Sequence, residues 1–422
     1  MLEKSPSERL RIAWLCLSEG NLAAADVLCR FVLDAEPANP DALYMLGNVA
    51  IKIGEYAKAE EYFTASLETG KASAEASREQ ARNLARQNAI QLVGAREKHY
   101  LLVKSWGQGF WSDVSHVLGG LLLAEISGRI PIIHWGRNCL FGDGNDSDAF
   151  TRFFEPVSGA ALSDVATLPD ADFYPKKWNR NNLATEDNAK WIGDGARLAE
   201  IYFLNRPETV AVADFYLSVP NLVPWVPPSH LVAGLPPEKV FRYLIEKYLR
   251  PAPAILAACD AFHAERLACS PYVSIHLRGS DKIREGPNLL RRNMEILSVL
   301  DNLPPSLRIF LMTDDQRYIE AMLQRYGDRV VAADCQRVVS DTGVHFISAN
   351  DPFLMGLEVM RDTYLALRGD HFIGNGYSNV SGMVALMRNW PVGRCTLVYP
   401  SVLTRRSAVM YLPPEIARYG TV

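Results

Sequence analysis

The 422-residue sequence predicts an α-helical repeat region followed by an α/β portion of two lobes. Three observations predict it. The first ninety or so positions are self-similar at a shift of thirty-four residues. From Gly94 the apolar period changes, and β-rich runs alternate with helical spacing. That alternation breaks at a proline cluster (Pro220, Pro224, Pro227, Pro228) and begins again near Tyr272.

In the repeat region the shift lays Gly20 on Gly54, Leu22 on Tyr56, Ala25 on Ala59, Cys29 on Phe63 and Val32 on Ser66. Small residues at Gly47 and Ala59 let paired helices cross closely, and Gly54 permits the turn between them. Pro37, Asn39 and Pro40 separate the copies, since proline cannot continue a helix interior. The pattern resembles the tetratricopeptide repeat. Ala74 to Gln91 reads as a polar capping helix, so residues 1–92 hold about two repeats plus a cap. Such arrays usually hold a peptide or another protein. Two repeats make a short groove, so docking onto the rest of the chain, or self-association, is equally open.

Bulk composition narrows the rest. Hydrophobic residues at 48% and charged residues at 22% describe a water-soluble globular protein. A formal net charge of −4 gives no reason to expect nucleic acid or an anionic membrane as partner. The polar start argues against a signal peptide, and the longest apolar run, Val117 to Ile126, is too short to span a bilayer. Seven scattered cysteines without a Cys-x-x-Cys pair fit reduced thiols and a cytoplasmic location.

The first lobe, residues 94–250, opens with a strand at His99 to Trp106, a helix at Ser112 to Ser127 and a strand at Arg129 to Trp135. Asp143 to Asn205 reads as long loops, and Thr209 to Leu217 as another strand. Helices follow at Glu238 to Leu249 and Ala254 to Leu267. The second lobe, residues 251–422, places strands at Tyr272 to Leu277, Arg308 to Thr313, His371 to Gly374 and Cys395 to Val398. Helices lie between them at Asn288 to Leu300, Gln316 to Tyr326, Phe353 to Leu367 and Ser378 to Asn389. In such sheets the ligand sits beyond the carboxyl ends of the strands.

Three of those ends carry polar chemistry: His276-Leu277-Arg278-Gly279-Ser280-Asp281-Lys282, Thr313-Asp314-Asp315, and Gly374-Asn375-Gly376-Tyr377-Ser378-Asn379-Val380-Ser381. The last opens a helix, whose free N–H groups and dipole suit a pyrophosphate near Asn375, Gly376 and Ser378. Arg278 can fork onto two phosphate oxygens. Thr313-Asp314-Asp315 also fits an ordinary helix cap.

These segments resemble the α1,6-fucosyltransferase superfamily, which includes nodulation fucosyltransferases. His276 to Lys282 looks like its His-x-Arg-Arg-Thr-Asp-Lys signature, and Asp362 with Ser378 matches its Asp and Ser pair. Gly107-Gln108-Gly109-Phe110-Trp111-Ser112-Asp113 resembles its opening glycine motif, which puts Gly109 at the donor. Trp135-Gly136-Arg137-Asn138-Cys139 and Phe153-Phe154-Glu155-Pro156-Val157 look like the nodulation branch. The resemblance implies a GT-B fold and inverting transfer from GDP-fucose to a carbohydrate or protein hydroxyl, with no metal or other cofactor. It implies that Arg278 and Ser378 hold the pyrophosphate and that His276 and Asp362 border guanine and ribose. Lys282 would neutralise the leaving phosphate. The candidate base is Glu285, with Asp281 as the alternative. Gly279 departs from the signature, where a second arginine would stand.

Two rivals remain at this level. A repeat array ahead of a GT-B fold is also the layout of UDP-dependent protein O-glycosyltransferases. The second is a repeat-based binding protein with an inactive enzyme lobe. Trp178, Trp191, Tyr202 and Phe203 are candidates for stacking on an acceptor sugar, or for core.

Overall fold

The structure, a computed structural model, describes residues 4–91, 98–184, 190, 196–279, 288–339 and 351–412. Five helices form the repeat array: α1 (Pro6–Ser18), α2 (Leu22–Ala35), α3 (Pro40–Lys52), α4 (Tyr56–Glu68) and α5 (Ala74–Gln91). Ser5 and Glu8 close a capping box on α1, and the Asn21 and Asn39 side chains cap α2 and α3. Gly47 is needed where α3 crosses α4, because a Cβ there would sit 2.5 Å from the Phe63 ring. Gly54 turns between them at φ +82°.

The array docks onto the α/β portion through α2 and α4. Asp26 and Arg30 pair at 2.8 Å in a fully covered position, and the Arg30 guanidinium lies 5.1 Å from the Trp225 ring centre. Tyr62 meets the same indole edge-on. The Tyr202 hydroxyl accepts from Leu22 N at 2.9 Å, and Arg406 pairs with Asp34 at 2.7 Å.

The first lobe is a parallel sheet of β1 (Tyr100–Lys104), β2 (Ile130–His134), β3 (Phe173–Tyr174) and β4 (Val210–Ala213), in the order β2-β1-β4-β3. Helix α6 (Phe110–Ser127) connects β1 to β2. The second lobe has β5 (Tyr272–His276), β6 (Arg308–Met312), β7 (Val330–Val331), β8 (His371–Gly374) and β9 (Cys395–Leu397), ordered β7-β6-β5-β8-β9 and all parallel. Two parallel α/β lobes facing across a cleft are the GT-B plan that the sequence predicts. The chain order reverses between β5 and β8, which is where a doubly wound sheet opens a ligand crevice. Residues 402–412 leave the second sheet and pack back on the first lobe, where the Tyr411 hydroxyl donates to Glu200 at 3.2 Å. Among the described residues no helix is long and apolar enough to cross a membrane.

Candidate functional site

A cavity of about 300 Å³ lies between the lobes at that switch point. Gln108 to Ser112, at the start of α6, form its first-lobe wall, while His276, Arg278, Thr313, Asp314, Asp362 and Ser378 line the other.

Leu277 N–H bonds Met312 O at 3.0 Å, extending the β5–β6 ladder one residue, and Asn293 holds the Arg278 carbonyl at 2.9 Å. The Arg278 guanidinium then pairs with the Asp314 carboxylate, both about one-sixth exposed at the cleft. Gly279 N–H bonds the same carboxylate at 3.1 Å. Asp315 points the other way. It accepts from Arg317 N and Nε, both at 2.9 Å, and caps the helix Gln316–Tyr326. So the Thr-Asp-Asp turn divides its labour, one carboxylate on Arg278 and one on a helix end. It also explains Gly279, since a Cβ there would lie 2.6 Å from Asp315 Cβ.

His276 ends β5 with its Nδ1 2.7 Å from Ser381 Oγ. Burial first, and the Arg278 charge second, push its pKa down to about 3, so the ring is neutral. Ser378 precedes the helix Asn379–Met387 and lines the cavity. Asn375 and Gly376 build the wall behind it: Asn375 Oδ1 accepts from Tyr377 N at 3.0 Å. A Cβ on Gly376 would come within 2.6 Å of the Pro400 carbonyl carbon, so Gly376 is set by backbone packing.

Also on the cavity wall, the helix Pro352–Ala366 presents Glu358 and Asp362 one turn apart, both buried. Burial raises both pKa values; Arg361 opposes this at Asp362, as does Gln336 N–H, at 3.0 Å, for Glu358. The Cys335 thiol donates to Asp362 Oδ2 at 3.4 Å. Met312, Met355 and Val359 add apolar wall to the same cavity.

The first-lobe wall hangs on Asp113. Its carboxylate accepts from Trp106 N at 2.5 Å, Gly107 N at 3.1 Å and Ser105 Oγ at 3.2 Å, fixing the glycine turn before α6. Burial raises the Asp113 pKa to about 7, against the pull of Lys190 and these donors. Gly109 sits at the α6 N-terminus on the cavity wall.

The structure therefore brings His276, Arg278, Asp362, Ser378 and Gly109 to one cavity. Asp281, Lys282 and Glu285 lie outside the described residues, as does Trp191. Trp178 and Phe203 are buried, and Tyr202 bonds the repeat array, so these three are packing residues and not an exposed stacking face. Long loops carry no apolar period from which such burial can be read. Glu358, Gln336 and Cys335 were not singled out by the sequence, and Ser381 only as the last residue of the polar strand-end segment; for Glu358 a helical i, i+4 carboxylate pair was the one available signal.

Residues 17–82 match the tetratricopeptide repeat family. No curated protein matches the chain. Among solved structures, the chain is similar to NodZ α1,6-fucosyltransferase soaked with GDP-fucose, with 16% identity over 69% of this chain and 93% of that one, TM-score 0.46. NodZ from Bradyrhizobium aligns at 18% identity over 69% and 93%, TM-score 0.45. A point mutant of Arabidopsis thaliana FUT1 in complex with GDP aligns at 12% identity over 74% and 76%, TM-score 0.46.

Proposed function

We propose that this chain is a glycosyltransferase that uses a GDP-sugar, with fucose as the sugar, and transfers it with inversion to a glycan or protein hydroxyl. The observation that carries this reading is one cavity whose lining combines a cation and a helix N-terminus with a pair of buried carboxylates. Arg278 and the helix N-terminus at Ser378 offer charge and N–H donors to a diphosphate. Glu358 and Asp362 offer acceptors to a base. A guanine edge supplies an N1–H and an amino group to two carboxylates, whereas uracil supplies a single ring N–H. A buried acceptor left unmatched is costly, so the carboxylate pair favours GDP over UDP.

In the proposed reaction the leaving diphosphate is stabilised by Arg278, Lys282 and helix N–H groups, without a metal. Asp314 holds Arg278 at the cleft before the donor arrives. Glu285, or Asp281, removes the acceptor proton. The scattered thiols suit a reducing compartment, and we place the reaction in the cytoplasm. The outer face of the repeat array is assigned to a protein partner or acceptor.

Calorimetry with GDP and UDP tests the donor. The expected outcome is GDP binding, unaffected by EDTA, with UDP much weaker; UDP binding without GDP binding overturns it. Transfer is then read on an acceptor array with labelled GDP-fucose. Absence of both turnover and hydrolysis would favour a repeat-based binding protein.

A further inference from the structure

We infer that Ser381 is a positioning residue of the donor site: its hydroxyl fixes His276 as the Nε2–H tautomer, which presents an N–H donor to an oxygen of the bound nucleoside diphosphate. The inference rests on the donor-site reading above for the ligand, but not for the tautomer.

Ser381 lies in the helix Asn379–Met387, directly below the cavity wall, and is fully buried. A helical serine often returns its proton to the carbonyl one turn back. Here Oγ instead sits 2.7 Å from His276 Nδ1. Gly374 makes the room, since a Cβ at that position would approach Ser381 Oγ to 2.6 Å.

Two proton arrangements satisfy that distance. If Nδ1 carried the hydrogen, the serine proton would need a second acceptor, and among the described residues Ser381 Oγ makes no hydrogen bond besides the one to His276. A buried hydroxyl proton would then be left unsatisfied. If the serine donates, Nδ1 accepts, and a neutral imidazole must carry its hydrogen on Nε2. The ring lines the cavity beside Arg278, and with Nδ1 committed to Ser381 the hydrogen on Nε2 is the one the ring has to offer a ligand oxygen. A neutral donor suits this place. It adds a hydrogen bond for the nucleotide without setting a second positive charge against Arg278.

Nitrogen-15 histidine NMR on the full chain reads the tautomer directly, with His276→Gln identifying the signal among the 8 histidines. The expected wild-type pattern is a neutral ring with Nε2 protonated, unchanged from about pH 5 to 8. An Nδ1–H pattern overturns the proposal, whether or not any nucleotide binds. Ser381→Ala should mix the two tautomers and weaken GDP binding by about threefold to tenfold. In a His276→Gln background, where the side-chain amide needs no tautomer control, Ser381→Ala should have no further effect on GDP affinity. An equal loss in both backgrounds would reduce Ser381 to a packing role and sink the proposal. Should Ser381→Ala fail to fold, the wild-type spectrum still decides. If the tautomer is as expected but GDP does not bind, the donor-site reading fails and the ring assignment stands.

Discussion

Trp111 Nε1 donates to Thr363 Oγ1 at 2.9 Å, a buried hydrogen bond that joins the first turn of α6 to the acidic helix of the second lobe. The threonine proton goes to Val359 O at 2.8 Å, so its oxygen is free to accept from the indole. Thr363→Val keeps the shape and leaves the indole N–H unmatched, at a cost of about 1–3 kcal/mol. Urea unfolding should show that loss. Trp111 and Val359 both line the cavity, so GDP affinity should fall as well, and a variant with unchanged stability would show that the bond does not join the lobes.

Gly279 is where a second arginine would stand in the family signature. Restoring it looks like a gain of one phosphate contact, but the geometry predicts a loss. The Cβ of any side chain would meet Asp315 at 2.6 Å, and Asp315 is committed to capping the next helix and to Arg317. Gly279→Ala should cost about 1–3 kcal/mol through this overlap. Gly279→Arg should be no better and should not tighten GDP. Melting temperatures for the two variants, with GDP titrations, decide the matter.

Glu358→Gln tests the carboxylate pair of the cavity. The amide oxygen still accepts from Gln336 N, so the fold should change by less than about 0.5 kcal/mol. The charge that favours a donor-rich base edge is lost, so the preference for GDP over UDP should narrow by about tenfold or more. Competitive titration of both nucleotides measures the ratio directly.

The elements of both sheets were legible because their period and punctuation are local. Helix Gln316–Tyr326 and strand His371–Gly374 fall where the sequence places them. The two-residue strands β3 and β7 were not, since two positions show no alternation. His276, Arg278 and Ser378 could be expected to share one cavity because the carboxyl ends of neighbouring strands converge in this architecture. Gln336 and Cys335 reach the site only because β7 runs beside β6 and its following loop turns back toward Asp362, a consequence of sheet order. Asn375 and Gly376 were correctly placed at a strand end, yet their neighbours Tyr377 and Tyr399 decide what they do.

Arg30→Ala tests whether the repeat array is part of the enzyme body. It removes the partner of a buried Asp26 and the cation over Trp225, leaving a carboxylate already raised by burial with the weaker pull of Arg406 as its remaining cation. Breaking such a pair from one side costs about 3–5 kcal/mol. Replacing both residues, Asp26→Asn with Arg30→Met, should recover much of the loss. Thermal unfolding should remain a single transition in wild type and should split, or shift down as a whole, in Arg30→Ala. A silent Arg30→Ala would make the docked array a weakly held appendage.

Glu200 gives the fold a pH dependence of unusual sign. Burial raises its pKa from 4.5 to about 7, outweighing help from Asn221, Ser218 N–H and the Tyr411 hydroxyl. Between those values the native chain holds a proton that the unfolded chain has released, so stability falls as pH rises from about 4.5 to 7 and is flat above. The full change is roughly 3 kcal/mol for this one group. Asp113, also raised to about 7, adds a slope of the same sign. Lowered carboxylates such as Glu125 and Asp172 pull the other way near acid pH. The informative quantity is therefore the difference between wild type and Glu200→Gln, in which these other groups cancel. That difference should favour the variant progressively as pH climbs from about 5 to 7, then stop growing. A flat difference across this range would mean that Glu200 is ionised in the folded protein throughout.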